Sequence, residues 1–269
     1  MIQSPPRWPY RASGPQVERV HTASVSKCPE GDALVPVIPR SVLSTMAHEI
    51  RGPLSAMALS SELILDDLDS LGPEEVRSLA QRISRGALWL QGLIDNVLCD
   101  AALGEGRFQL SLEKVDVIEL VNEVQELLQP LVVGRGQKLG WVVDSPLPAV
   151  QADRNRLTQV LLNLVLNASK FSPQGTPIVI ALSALTDAIR VDVTDRGCGF
   201  EVEATALFER FFRTDRARQD GVIGSGLGLS IVKAIVNAHG GWVGAENRPN
   251  GGARFWFEIP TTPVWTGEL

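Results

Sequence analysis

The sequence predicts an α+β chain in two parts: a helical hairpin forming a dimeric four-helix bundle, followed by an α/β sandwich with helices on one face of a mixed sheet. Three observations carry this. Residues 41–68 and 76–97 place apolar side chains at helical spacing on either side of a Gly-Pro break. Beyond residue 106 short alternating runs interleave with helical ones and end in a hairpin. Two helices alone cannot cover both of their apolar stripes, so the hairpin calls for a second copy.

Composition narrows the class. A length of 269 residues with 44% hydrophobic content supports a sizeable core in one large or two small domains. A net charge of −6 lacks the basic surplus expected of a nucleic-acid binder. No run reaches the length of a membrane-spanning helix, and the N-terminus lacks an apolar signal core. Cys28, Cys99 and Cys198 have no metal-ligand spacing and cannot all pair, which is the pattern of reduced thiols in a cytoplasmic protein.

Residues 1–39 are proline-rich and aperiodic, and read as a flexible or weakly ordered leader. The hairpin is expected over 40–103. Leu43, Met46, Ile50, Leu54, Met57, Ile64 and Leu68 form one stripe, and Val76, Leu79, Ile83, Leu90, Leu93 and Val97 the other, with "DSLGP" at 69–73 between them. Each helix spans about 28 residues, or about 42 Å. With Leu43 and Ile50 at heptad position a and Met46 at d, His48 falls at f, facing water, with Glu49 beside the seam. Pro53 cannot donate to the carbonyl of Glu49, so the helix is expected to kink or loosen just below the His-Glu pair. Taken alone, "MAHEIRGPL" could equally be a helix start with an incidental histidine.

The second part is expected over 104–262, with a tail at 263–269. "FQLSLEKVDV" alternates like a strand; Asp116 caps a helix, with Glu119 three residues on, running to about Leu131. "KLGWVV" reads as a strand. Asp153 opens a helix through Ala168. "PIVIALSAL" and "AIRVDVTD" read as paired strands, a helix follows "GLGLS", and "GWVGAEN" with "ARFWFEI" closes the chain as a hairpin.

Three stretches of this part carry chemistry. In "NLVLNASKF", Asn163 and Asn167 lie four apart on one helix face. Their amide oxygens suit a hard cation such as Mg²⁺, which takes few protein ligands, and Lys170 adds a point charge for phosphate. The same spacing also fits a buried amide network. In "DRGCGF", Gly197 and Gly199 permit close backbone approach, and Asp195 at a strand end can accept from an exocyclic amine; a plain turn is the simpler reading. In "GSGLGLS", Gly224, Gly226 and Gly228 lead into a helix whose free N–H groups form an anion site. Between the last two, the aromatics, arginines and Gly221 of "LFERFFRTDRARQDGVI" suit a mobile phosphate-facing lid.

Together these segments resemble the sensor histidine kinases of two-component signalling over residues 40–260. "AHEIRGPL" resembles the phospho-acceptor box, "NLVLNASKF" the asparagine box, and "DRGCGF" and "GSGLGL" the glycine boxes. "LFERFFR" between them resembles the phenylalanine box, and "GGARFWFEIP" the terminal strand segment. Any one is weak; the ordered set is specific. The resemblance implies a dimerisation and phosphotransfer hairpin followed by a Bergerat-type ATP-binding domain. It implies His48 as acceptor and Glu49 as base, with Asn167 as Mg²⁺ ligand, Asn163 beside it and Lys170 near the phosphates. It further implies Asp195 as the adenine reader, and Gly197, Gly199, Gly224, Gly226 and Gly228 as nucleotide-loop glycines.

The implied reaction is autophosphorylation of His48 by ATP, then transfer to an aspartate of a response regulator on another chain. A free imidazole with a pKa of about 6.5 is mostly neutral at cytosolic pH, as a nucleophile must be. Two departures stand out. Gly52 occupies the place where the family often has threonine or asparagine to position water for hydrolysis of the partner's phospho-aspartate, and Ala253 stands where threonine or serine is common. The competing readings are an ATPase or serine kinase of the same superfamily, and a nucleotide-dependent scaffold. The His-Glu pair on a preceding hairpin argues against the first, and the intact Asn and Gly positions against the second.

Overall fold

The computed structural model describes residues 40–144, 146–220, 222 and 224–262, without the side chains of 40–45 and 48. The expected leader, the tail, Gly221 of the lid and the side chain of His48, for which a water-facing position is expected, lie outside the described residues.

The chain opens with α1 (Arg40–Asp67) and α2 (Pro73–Gly104), joined by a turn at 68–72. Pro73 takes the first helical position, where its missing N–H costs nothing, and the Glu75 carboxylate accepts from the backbone N–H of Gly72 at 2.8 Å. α1 runs through Pro53 without a break in its helical assignment. The helices approach closely at Gly86, where a Cβ would lie 2.6 Å from Met57 Cγ. Ile50, Leu54, Leu63, Leu65, Ile94 and Leu98 remain exposed along the hairpin.

The second part contains β1 (Glu113–Val115), α3 (Val117–Val133), β2 (Lys138–Val143), β3 (Val150–Ala152) and α4 (Arg154–Phe171). These are followed by β4 (Pro177–Ala184), β5 (Ala188–Thr194), a 3₁₀ turn (Ala204–Phe208) and α5 (Asp215–Gln219). α6 (Gly228–Ala238), β6 (Trp242–Asn247) and β7 (Ala253–Pro260) complete it. The main sheet runs β2-β4-β5-β7-β6, parallel between β2 and β4 and antiparallel elsewhere. β1 and β3 form a small antiparallel pair at its side.

The caps read from the sequence are made. Asp116 accepts from the N–H groups of Ile118 and Glu119, and Asp153 from that of Arg156. Alternation puts Ile178, Ile180, Leu182, Ile189, Val191 and Val193 on the core face of the sheet, against Leu120, Val124 and Leu128 of α3, Leu161, Leu164 and Val165 of α4, and Ile231, Val232 and Ile235 of α6. Full burial contributes roughly 1.5–3 kcal/mol for each such side chain. These three helices form the second layer and present their ends at the site described next.

Two hairpin residues join the same core: Met46 of α1 and Cys99 of α2, with Val97, Ala102 and Leu103 packed beside them. Met46, read from the heptad as a seam position, is buried within the single chain and joins this core; an isolated heptad gives no information about a domain that packs from the side. The strand-like run at 108–117 yields only β1, and α4 continues three residues beyond Ala168.

Candidate active site

A cleft of about 1430 Å³ opens between the end of α4, the loops after β5 and before α6, and the hairpin. Its walls are built from the segments singled out above. The end of α4 is held by Gln137, whose amide donates to the Ser169 carbonyl at 3.1 Å and accepts from the Ser169 hydroxyl at 2.6 Å. That anchor fixes Asn167 and Lys170 at the cleft.

The two asparagines part company. The Asn163 carboxamide oxygen accepts from Asn96 Nδ2 of α2 at 2.8 Å, and its Nδ2 donates to Asn96 Oδ1 at 3.0 Å. Gln159 donates to the same Asn96 oxygen at 3.1 Å. Asn163 therefore takes part in an amide network, as one reading of the spacing allowed, while also lining the cleft. Asn167 lines the cleft and makes no side-chain hydrogen bond to another described residue. Among the described residues no group of three His, Cys, Asp or Glu side chains gathers as a metal site, so a cation here would rely on an amide such as Asn167 together with ligand and solvent oxygens.

Asp195 is buried at the end of β5. Its Oδ1 accepts from the backbone N–H of Gly197 at 2.7 Å and of Ala253 at 3.1 Å. Burial pushes its carboxyl above the usual range, and those two donors and the nearby Arg248 oppose the shift. The contact from residue 253 is made by its backbone, so alanine serves it as well as threonine. Gly197 sits under Phe171, whose carbonyl oxygen would lie 2.6 Å from a Cβ there. Gly199 lines the cleft, and the following residue, Phe200, is pinned by Asn247, which accepts from its N–H at 2.9 Å and donates to its carbonyl at 2.6 Å. Asn247 carried no signal in the sequence; the partners are 47 residues apart.

The loop before α6 needs its glycines for two different reasons. Gly226 has φ +75°, and a Cβ would meet the Phe211 backbone at 2.7 Å, so the loop and the phenylalanine segment lie backbone on backbone. At Gly224 the constraint is space: a Cβ would stand 2.3 Å from Lys170 Nζ. Gly228 opens α6, and no side chain caps that N-terminus, so its N–H groups face the cleft as an anion site.

The hairpin completes the wall. Glu49 and Pro53 of α1 line the cleft. Glu49 is 2% exposed, and its Oε1 is buried without a hydrogen-bond partner among the described residues. Glu49 was expected beside the bundle seam; it is enclosed by the second domain instead. Burial raises its pKa to about 7 against the pull of Lys170 and Arg213, and burial lowers that of Lys170 to about 8. A carboxyl near neutrality with an oxygen free of hydrogen bonds to the described residues, adjoining the His48 backbone, has the acidity of a proton acceptor. Arg213 is tied into the lid, donating to the Val222 carbonyl at 2.5 Å.

Similarity to known proteins follows the same division. Residues 152–263 match the family of histidine kinase-, DNA gyrase B- and HSP90-like ATPases, and residues 40–106 the His Kinase A (phospho-acceptor) domain. The sensor protein SphS of Synechococcus elongatus is 34% identical over 237 residues, covering 84% of this chain and 56% of SphS. Full-length ShkA in complex with AMPPNP superposes with a TM-score of 0.57 at 34% identity, over 85% of this chain and 47% of ShkA. ThkA in complex with the response regulator protein TrrA gives 0.54 at 30% identity, over 83% of this chain and 62% of ThkA. The chain thus spans little more than half the length of SphS. Among the described residues no helix is long and apolar enough to cross a membrane. With a phospho-acceptor hairpin and an ATPase-type domain matched in order, and residues from each signature segment lining one cleft, the chain belongs to the sensor histidine kinases of two-component signalling.

Proposed function

We propose that this chain transfers the γ-phosphoryl group of ATP to His48 and passes it to an aspartate of a separate response regulator. The observation that carries the reading is the enclosure of Glu49, next to His48 on α1, in the same cleft as Asn167, Lys170 and Asp195. The AMPPNP complex of ShkA and the TrrA complex of ThkA support the nucleotide and the regulator as ligands here.

In this mechanism Asp195 accepts from the adenine amino group, and the glycine loop and α6 N-terminus hold the phosphates. A neutral His48 imidazole attacks the γ-phosphorus in line; ADP leaves and phospho-His48 remains. Glu49 takes the imidazole proton, for which a pKa of about 7 is well matched. Lys170 offsets phosphate charge. A Mg²⁺ ion entering with the nucleotide would be held through the Asn167 amide oxygen and would neutralise phosphate charge.

The exposed Ile50, Leu54, Ile94 and Leu98 support a homodimer through residues 40–103, with 104–262 as the ATP-binding unit. We place the protein in the cytoplasm, on its free buried Cys99 and exposed Cys198. Incubation with γ-labelled ATP is expected to give an acid-labile, base-stable phosphoprotein, and His48→Gln to abolish it with ATP binding retained within a few-fold. Label that survives His48→Gln would remove His48 as acceptor. Light scattering is expected to show a dimer at micromolar concentration; a monomer would contradict the bundle.

A further inference from the structure

Resting on the kinase reading above, we propose that phosphoryl transfer runs within one chain, from the nucleotide cleft to the His48 of the same protomer, and that Asn96 and Asp100 of α2 are the positioning residues that dock the cleft there. Three sets of contacts carry this.

The first is the α1 face. Met46, Glu49 and Pro53, at spacings of three and four, share one face of α1. Met46 joins the core that the hairpin shares with the second domain, while Glu49 and Pro53 line the cleft. The second is a polar clamp one helical turn long on α2. Asn96 and Asp100 are each 8% exposed, unusual for side chains of their kind on an amphipathic helix. Asn96 exchanges two hydrogen bonds with Asn163 and accepts a third from Gln159. Asp100 accepts from Arg210 of the phenylalanine segment at 2.5 Å. If the domain swung away toward a partner's helix, Asn96, Gln159 and Asp100 would exchange these partners for water, giving up the net contribution of each hydrogen bond and of the charged pair. The third is covalent continuity. α2 does not end at a free hinge: Val97, Cys99, Ala102 and Leu103 are packed into the second domain's core. That packing holds the second domain against its own hairpin.

The clamp also divides the asparagine pair. Both line the cleft, but the Asn163 amide is engaged by Asn96, while that of Asn167 bonds to no other described residue.

The test is complementation in mixed dimers. Chains carrying His48→Gln and Asn167→Asp under different tags are co-expressed, purified through both tags and incubated with γ-labelled ATP. Transfer within a chain predicts no label above that of the two parent homodimers. Label approaching half the wild-type level would overturn the proposal, since only transfer between chains can then be competent. A wild-type protein that takes no label would overturn the kinase reading itself, a distinguishable failure. For the clamp, Asp100→Arg is expected to lower labelling at least about tenfold, in keeping with the cost of ångström misplacement. Affinity for a fluorescent ATP analogue should be unchanged, and the charge swap Asp100→Arg with Arg210→Asp should restore the rate. A swap that binds nucleotide normally but stays slow would overturn the positioning role.

Discussion

His239 Nε2 accepts a hydrogen bond of 2.9 Å from the backbone N–H of Asp153, joining the end of α6 to the start of α4. Its Nδ1 lies 2.8 Å from the Ile235 carbonyl, to which it donates. Both contacts require a neutral ring with its proton on Nδ1. Burial lowers the His239 pKa, against the opposing influence of Asp153. The sign of the consequence follows from proton uptake. Below about pH 6.5 the unfolded chain binds a proton at this residue that the native state resists, so stability falls as pH drops from there toward the depressed native pKa, by at most about 1.4 kcal/mol per unit. Glu49, raised to about 7, acts in the opposite sense over the same window, since its neutral form is the one favoured by folding. The comparison must therefore be between proteins. Urea midpoints measured from pH 7.5 to 5 are expected to fall more steeply for wild type than for His239→Gln; parallel curves would show that His239 does not titrate with unfolding.

The kinase step should follow the ionisation of Glu49. As a base it must be a carboxylate, and its pKa is about 7. The initial rate of labelling is expected to climb between pH 6 and 8 at saturating nucleotide, then to decline as Lys170, at about 8, loses its charge. Glu49→Gln should abolish the rising limb and slow labelling by roughly 10²–10⁴. A wild-type profile flat from pH 6 to 8 would remove Glu49 as the titrating base.

Asn167 and Asn163 should separate in solution as they do in geometry. Asn167→Ala is expected to weaken Mg·ATP binding in calorimetry while leaving the melting temperature nearly unchanged, because its side chain bonds to no described residue. Asn163→Ala should lower the melting temperature, since it leaves Asn96, buried at 8% exposure, without its reciprocal partner. Equal effects of both variants on Mg·ATP affinity, with equal melting temperatures, would contradict this division.

These separations mark where a sequence stops being informative. The strands β2, β6 and β7 were legible because alternation and flanking turn residues are local, and the caps at Asp116 and Asp153 because a cap acts within three residues. β3 was not, because three residues hold no period. At the site, the segments that resemble family boxes were all found, and they line one cleft. Asn96, Gln159 and Asn247 were missed because their partners lie 47 to 67 residues away and nothing in their neighbourhood distinguishes them. Glu49 was placed beside a seam because periodicity orients a side chain about its own helix axis and cannot report which domain packs there.

Gly52 is where the sequence and the geometry make the sharpest joint claim. Resemblance to the family sets at this place a side chain that holds the water attacking the regulator's phospho-aspartate; glycine offers neither hydroxyl nor amide. The position is exposed, and a Cβ there would meet nothing within 4 Å, so no packing reason requires glycine. Within a helix glycine costs roughly 1 kcal/mol relative to alanine. Gly52→Ala is therefore expected to raise stability by up to about 1 kcal/mol in urea titration. It should do so without changing dephosphorylation, because a methyl group cannot orient water. Gly52→Asn has room for its amide and should accelerate decay of purified phospho-regulator in the presence of ADP, whereas the wild type should leave that decay near its intrinsic rate. Misplacing the attacking water by an ångström costs on the order of a hundredfold, which sets the scale of the gain available. If wild type speeds the decay as strongly as Gly52→Asn, water positioning at this residue is not what limits the reaction.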